Sequence, residues 1–132
     1  MTTEALALPP QPDNRLFQEL YTAFGNDLNE ARDFIAQECA DPEMRRQFDD
    51  LEAEALYLLL RATRPEKIVE ISPCDGWSTT WILKALQDNQ AGTLESFDIH
   101  DSSRKFVPTS LTNRWRLHVG DVRADTAPLP AE

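Results

Sequence analysis

The stretch Lys67–Thr80, with the sequence KIVEISPCDGWSTT, constrains the fold of this chain more than any other segment. It begins as a short apolar run rich in β-formers, turns sharply through Pro-Cys-Asp-Gly, and continues as an amphipathic helix opened by Ser78. A backbone that turns this tightly from strand to helix leaves unpaired N–H groups at the start of the helix. Such a turn can hold a small polar ligand at the end of a sheet.

Strands and helices alternate through the C-terminal half of the sequence. A strand at Lys67–Ser72 and a helix at Thr79–Gln87 precede a second strand at Thr93–His100 and a third at Trp115–Val122. This order implies parallel βαβ units with right-handed crossovers. We therefore predict an α/β fold, a Rossmann-like parallel sheet with three visible strands, over residues 65–132.

The first 64 residues are predicted to form an N-terminal helical segment, residues 13–64, after a disordered lead-in at 1–12. Apolar residues recur at helical spacing in three runs, which predict helices over 13–24, 27–40 and 41–62. Gly25 is expected to end the first helix, and Asp41-Pro42-Glu43 to begin the third. The apolar stripe of the third helix would contain Met44, Phe48, Leu51, Ala55, Leu58 and Leu59.

Composition excludes several classes of protein. A chain of 132 residues has room for one domain, and its net charge of −10 disfavours nucleic acid and anionic membranes as partners. Two cysteines, Cys39 and Cys74, are too few for a disulfide framework or a zinc site. No apolar run approaches a membrane span, and Met1–Pro12 lacks the basic start of a signal peptide. We therefore expect a cytoplasmic protein.

Three landmarks occur in order along the C-terminal half. The first strand ends in an acid and leads through small residues to Gly, an aromatic residue and Ser-Thr, from Glu70 to Thr79. The second strand ends at Asp98, and Gly120-Asp121 follows the third. With these landmarks, the segment from about Leu56 to Val122 resembles the N-terminal half of class I S-adenosylmethionine-dependent methyltransferases, near the small-molecule O-methyltransferase-like group.

The resemblance implies S-adenosylmethionine as the cofactor. A turn of small residues lets the main chain approach the methionine portion, so Ser72, Cys74 and Gly76 are candidate contacts. Ser78 follows them at the start of the helix, and Glu70 either orients the turn or faces the cofactor's ammonium group. The structural alternatives are that Glu70 only caps the turn and that Ser78 is only a helix N-cap.

The adenosine end of the cofactor would lie against the second and third strands. Asp98 is placed to accept hydrogen bonds from both ribose hydroxyls, as acids do at this position in dinucleotide sites. The resemblance implies that Asp121 accepts from the adenine amino group, while Ile99 and Val122 pack against the ring. The alternatives are an ordinary strand-end acid at Asp98 and a turn former at Asp121 after Gly120.

The sequence departs from the family pattern in two respects. Ser72 and Cys74 replace the first and middle glycines of the usual turn. The family also continues with a fourth strand that carries the catalytic or metal-binding acid, whereas this sequence ends at Glu132. We therefore expect a fragment of a longer enzyme or a truncated relative, and we assign no catalytic residue. No metal site is predicted, since His118 is expected to pack within its strand and His100 to face solvent.

The main functional hypothesis is methyl transfer from S-adenosylmethionine to a small-molecule acceptor. The alternative is a truncated, non-catalytic module that binds a cofactor or a partner. A nicotinamide dinucleotide site is disfavoured because the turn lacks G-x-G-x-x-G. Without a fourth strand, Lys67–Ser72 would form a sheet edge. We expect that edge to pair with a second copy, giving a homo-oligomer, or to be covered by the N-terminal helices.

Overall fold

The computed structural model describes residues 14–46 and 50–121, so the predicted lead-in at 1–12 lies outside the described part. Four α-helices, one 3-10 helix and three strands make up this part. In chain order they are α1 (Asn14–Glu38), α2 (Asp50–Thr63), β1 (Lys67–Ile71), α3 (Trp77–Asn89), β2 (Thr93–Asp98), α4 (Ser103–Phe106), the 3-10 helix (Thr109–Arg114) and β3 (Trp115–Val119).

The three strands form one parallel sheet in the order β1-β2-β3. Ile71 lies opposite Phe97, which in turn lies opposite His118. The predicted α/β, Rossmann-like sheet is therefore confirmed. Each strand ends one to three residues earlier than predicted; β1 stops at Ile71 because Ser72 adopts a positive φ of 58°. The connection between β2 and β3 contains α4 and the 3-10 helix.

The predicted break at Gly25 is wrong, because α1 runs through it as one helix of 25 residues. Glycine inside a helix costs about 1 kcal/mol relative to alanine. Burying one leucine or phenylalanine side chain contributes about 1.5–3 kcal/mol, so a stripe that continues on both sides of the glycine outweighs that cost. The buried stripe consists of Leu16, Leu20, Phe24, Leu28, Ala31 and Ile35.

The helix predicted from Asp41 is also corrected, because α2 begins at Asp50. Oδ1 of Asp41 accepts a 2.9 Å hydrogen bond from the Glu43 N–H, which closes a turn in place of a helix N-terminus. Leu51, predicted to be buried, is 69% exposed, and Phe48 lies outside the described residues. The buried face of α2 instead contains Ala53, Tyr57, Leu58, Arg61 and Ala62.

The N-terminal helices and the α/β part share one core. Trp77 and Trp81 of α3 belong to the same buried cluster as the stripes of α1 and α2. The buried guanidinium of Arg61 crosses all three helices. It donates to Oδ2 of Asp27 in α1 at 2.9 Å and to Oδ1 of Asn89 at the end of α3 at 2.8 Å. A second cluster of α3, β2 and 3-10 helix residues fills the space between the helices and the sheet.

The helices cover one face of the sheet and leave the other open. On β1 only Glu70 is buried, whereas Val69 and Ile71 are 46% and 58% exposed. Every described helix that packs on β1 therefore lies on its Glu70 side. Within residues 14–46 and 50–121, β1 pairs with β2 alone. No helix in this part of the chain has the length and apolar character needed to cross a bilayer.

Candidate functional site

The turn between β1 and α3 is built from three residues in the left-handed backbone region. The φ angles are 58° at Ser72, 54° at Cys74 and 88° at Gly76. At Gly76 a Cβ would lie 2.5 Å from Cγ2 of Val107, so both the backbone angle and the close approach require glycine there. Ser72 and Cys74 hold the same kind of backbone at the cost of strain.

Asp98 lies beneath this turn at the end of β2. Its Oδ2 accepts a 3.0 Å hydrogen bond from the Cys74 N–H, and its Oδ1 accepts one of 3.2 Å from the His100 N–H. On the other side of the turn, the Ser102 hydroxyl donates to the Cys74 carbonyl at 3.0 Å. Asp98 is buried, and each carboxylate oxygen keeps a further lone pair. The acid therefore fixes the turn and retains acceptor capacity towards a ligand.

Glu70 is the buried centre of a hydroxyl network. Its Oε2 accepts from Ser78 at 2.6 Å, and its Oε1 accepts from Thr79 at 2.6 Å and from Ser96 at 2.8 Å. The Ser96 hydroxyl also accepts from the indole N–H of Trp115 at 3.0 Å. These contacts join β1, β2, β3 and the first turn of α3. They hold the Glu70 carboxylate against the start of α3, and its predicted contact with the cofactor's ammonium group stays a prediction.

Ser78 does not cap α3, as one alternative had it. The N-cap position is Gly76, which has no side chain to offer, and the helix begins at Trp77. Ser78 lies one residue inside the helix, where its hydroxyl is bonded to Glu70. A ligand at the turn would therefore meet backbone N–H groups of an uncapped helix start.

Asp75 is a turn residue that sequence reasoning missed. It is buried, and its Oδ2 accepts a 2.7 Å hydrogen bond from the Arg45 N–H and a 3.4 Å contact from the Arg45 guanidinium. The backbone hydrogen bond from Arg45 holds the pKa of the Asp75 carboxyl below its usual value. The acid thereby docks the segment before α2 onto the turn. The only signal in the sequence is an acid directly before Gly76.

The remaining predicted residues lie where β2 and β3 end. The Gly120 N–H donates to the Asp98 carbonyl at 2.8 Å, which brings Asp121 beside the end of β2. Ile99 is 63% exposed, Asp121 is half-buried, and Val122 lies outside the described residues. The turn, Asp98, Ile99 and Asp121 therefore share the carboxyl edge of the sheet.

Neither histidine belongs to the group of residues at the carboxyl edge of the sheet. His118 stacks on Phe97 with ring centroids 4.6 Å apart and contacts Glu95 at 2.5 Å, on the open face of the sheet. His100 is exposed just after β2. Among residues 14–46 and 50–121, no group of three or more His, Cys, Asp or Glu side chains is arranged to hold a metal ion.

Residues 69–132, just under half of the chain, match a family model described as a methyltransferase domain. This segment is similar to methyltransferase domains. The matched range contains the turn, Asp98 and Asp121, so the methyltransferase segment includes the whole carboxyl edge described above. The predicted resemblance is thereby confirmed for the α/β part of the chain.

A solved structure has the same fold. The crystal structure of the SAH-bound methyltransferase PaMTH1 from Podospora anserina superposes with a TM-score of 0.52 at 17% sequence identity. The match covers 89% of this chain and 55% of that chain, so the sequence spans about half the length of this methyltransferase. No curated protein matches the chain.

Proposed function

We propose that this chain is the cofactor-binding part of an S-adenosylmethionine-dependent methyltransferase that acts on a small-molecule acceptor in the cytoplasm. The observation that carries the proposal is the hydrogen bond from the Cys74 N–H to Asp98. It sets a buried acid against a tight turn that leads into an uncapped helix. Acid, turn and helix start supply the acceptors and donors that a nucleoside with an amino acid tail requires.

The residues present fit such a cofactor. The backbone of Ser72–Gly76 is free of bulky side chains and would lie along the methionine portion. The remaining lone pairs of Asp98 would accept from the ribose diol. Ile99, an exposed apolar side chain beside that acid, would pack against the adenine ring, and Asp121 would accept from its amino group. The resemblance implies that Val122, which lies outside the described residues, packs against the same ring.

The described residues would bind the cofactor and orient its methionine end. When bound, the cofactor supplies an electrophilic methyl group attached to a sulfonium. Glu70, Asp75 and Asp98 are each engaged in hydrogen bonds that fix the turn or the start of α3, so they set the position of the methionine end. Positioning of this kind can supply a large share of the acceleration of a displacement reaction.

The second candidate is a module that binds the cofactor or a partner without catalysis. It is favoured by the structural engagement of these same acids, since each of the three accepts at least one hydrogen bond from within the protein. A methyl acceptor distinguishes the candidates, because only the enzyme consumes the cofactor in its presence.

Calorimetric titration of S-adenosylmethionine, its demethylated product SAH and NAD at equal concentrations tests the proposal. We expect both adenosyl thioether ligands to bind and NAD to bind more weakly or not at all. Binding of NAD alone would refute the assignment. Binding of SAH without turnover of any small-molecule acceptor would favour the non-catalytic module.

A further inference from the structure

A cavity of about 340 Å³ opens on the uncovered face of the sheet, at the edge where the strands begin. Its wall contains the first residues of β1 and β2, Lys67 and Thr93, together with Glu95, Arg114 and Arg116. Its volume falls within the range of about 300–1,000 Å³ that is typical of small-molecule sites. Because the strands are parallel, this amino edge lies at the opposite end of the sheet from the turn between β1 and α3. The cavity is therefore separate from the candidate cofactor site.

The register of the sheet brings the long side chains of the cavity to one face. Lys67 lies opposite Thr93, and Arg116 lies opposite Glu95. Thr93 and Glu95 are two residues apart on β2, so all four side chains lie on the same side of the sheet. That side is the one that the described helices leave open. Lys67 and Arg116 are two strand spacings apart, or about 10 Å, so a ligand over β2 would have a cation on each side.

Basic side chains outnumber acids in this cavity, although the whole chain carries a net charge of −10. Lys67, Arg114 and Arg116 line it together with one acid, Glu95. Oε2 of Glu95 lies 2.5 Å from Nε2 of His118, and its Oε1 lies 3.9 Å from the Arg116 guanidinium. The second contact is too long for a hydrogen bond, and the Arg116 side chain is 80% exposed. The cavity therefore has more cationic donors than its own acid can accept.

Arg114 supplies a cation whose position is fixed. Its Nη1 donates a 3.2 Å hydrogen bond to the carbonyl of Gly92, just before β2. A guanidinium carries five N–H donors in a planar fork, so Arg114 keeps others for a second acceptor. The Thr93 hydroxyl and the Asn113 amide in the same wall add neutral donors. Guanidinium, ammonium and hydroxyl donors around one cavity form a donor set suited to a phosphate group.

We propose that this cavity binds a phosphate dianion, carried by a small molecule or free in solution. The phosphate lies over the start of β2, where its oxygens accept from Arg114 and Arg116 on one side and from Lys67 on the other. A carboxylate has one charge and two oxygens, so it would leave part of this donor set unused. Binding here depends neither on the cofactor nor on methyl transfer.

Titration of the ¹⁵N-labelled full chain with inorganic phosphate, at an ionic strength held constant with sodium chloride, tests the site. We expect saturable shifts of the Thr93–Glu95 and Asn113–Arg116 amides and none in α1. Glycerol 3-phosphate distinguishes the two sources. Tighter binding of this ester than of inorganic phosphate assigns the site to a phosphorylated small molecule, and the reverse assigns it to the free ion. Shifts that do not saturate, or glycerol that binds as tightly as its phosphate ester, would overturn the proposal.

Two pairs of variants test the charges of the wall. Arg116→Gln should weaken phosphate binding roughly five- to tenfold, whereas Arg15→Gln, which removes an equally exposed cation from α1, should leave it unchanged. Glu95→Gln removes the acid of the wall and should tighten binding severalfold. Asp33→Asn, exposed on α1, changes the net charge equally and should have no effect. Amide spectra establish that each variant is folded. Unchanged phosphate affinity in folded Arg116→Gln and Glu95→Gln chains would overturn the proposal.

Discussion

The backbone N–H of Cys74 donates a 3.0 Å hydrogen bond to Oδ2 of Asp98, and this bond joins the turn after β1 to the end of β2. Cys74 also holds a φ of 54°, so the bond and the backbone strain fall on the same residue. The carboxylate is buried and accepts from a second backbone N–H at His100. Asp98 therefore has a structural task in addition to the ligand contact proposed for it.

Replacing Asp98 should affect both stability and binding. Asp98→Ala leaves two part-buried backbone donors without their acceptor, so the free energy of unfolding should fall by about 1–3 kcal/mol. Loss of the contacts to the ribose should cost a further 1.5–3 kcal/mol of SAH affinity, or roughly ten- to 150-fold. Urea unfolding and calorimetry measure the two effects. Asp33→Ala, exposed on α1, is the control; a folded Asp98→Ala chain with unchanged SAH affinity would remove Asp98 from the site.

Glycine at position 72 should stabilise the chain. A left-handed backbone costs a non-glycine residue about 1–2 kcal/mol, and replacing Ser72 by glycine would remove this strain. The greater conformational freedom of glycine in the unfolded chain offsets about 0.5–1 kcal/mol of that gain. Ser72→Gly should therefore raise the free energy of unfolding by roughly 0.5–1 kcal/mol. Ser72→Ala, which keeps the strain, should bring no gain. Equal stabilities of the two variants in urea would show that the turn is unstrained at this residue.

The hydroxyl network around Glu70 should be a major source of stability. Glu70→Gln replaces one carboxylate oxygen by an amide nitrogen that cannot accept, so at least one of the three hydroxyls loses its acceptor. We expect a loss of about 1.5–3 kcal/mol, the range for a hydrogen bond to a charged group. Glu66→Gln is the control, because Glu66 is exposed just before β1. Similar urea midpoints for the two variants would contradict a central role for Glu70.

Acid should weaken the docking of the segment before α2. The hydrogen bond from the Arg45 N–H lowers the pKa of Asp75 in the folded chain. Its stabilising contribution is therefore present above the unfolded pKa of about 3.9 and is lost as the pH falls through the lower folded value. The urea midpoint measured from pH 6 to pH 3 should fall less steeply in Asp75→Asn than in the unchanged chain. Parallel curves would show that Asp75 makes no such contribution.

The open edge and face of β1 should make the chain self-associate. Val69 and Ile71 are exposed on a strand that has an unpaired edge in the described part of the chain. Sedimentation equilibrium at several micromolar concentrations should show a mass above that of one chain, and Val69→Lys should shift it towards the monomer. A stable monomer whose Ile68–Ile71 amides exchange rapidly would contradict this prediction.

The α/β half of the fold could be predicted because its signals are local. The apolar strand, the turn ending at Gly76 and the amphipathic helix after it each follow from residues adjacent in sequence. The helix boundaries of the N-terminal half were harder to predict, because a glycine or an aspartate at a possible helix end is compatible with more than one local structure. Gly25 lies inside α1 since the buried stripe continues on both sides, and Asp41 closes a turn with the side-chain bond that a helix cap would use.

The contacts of the site could be predicted only in part. Strand ends meet at one edge of a parallel sheet, so Asp98 and the turn were expected to be neighbours. The sequence does not show which N–H donates to each carboxylate, because the partners are far apart along the chain. Cys74 and Asp98 are 24 residues apart, and Arg45 and Asp75 are 30 apart. The docking role of Asp75 therefore required the structure.

The most direct test of the cofactor site is to map SAH binding on the ¹⁵N-labelled chain residue by residue. The account predicts saturable shifts at the backbone amides of Ser72–Gly76, at Asp98 and Ile99 and at Asp121. The amides of α1, remote from the carboxyl edge of the sheet, should stay unchanged. Two results would contradict the proposed cofactor site. One is a set of saturable shifts confined to α1 and α2; the other is the absence of shifts at SAH concentrations that saturate other methyltransferases.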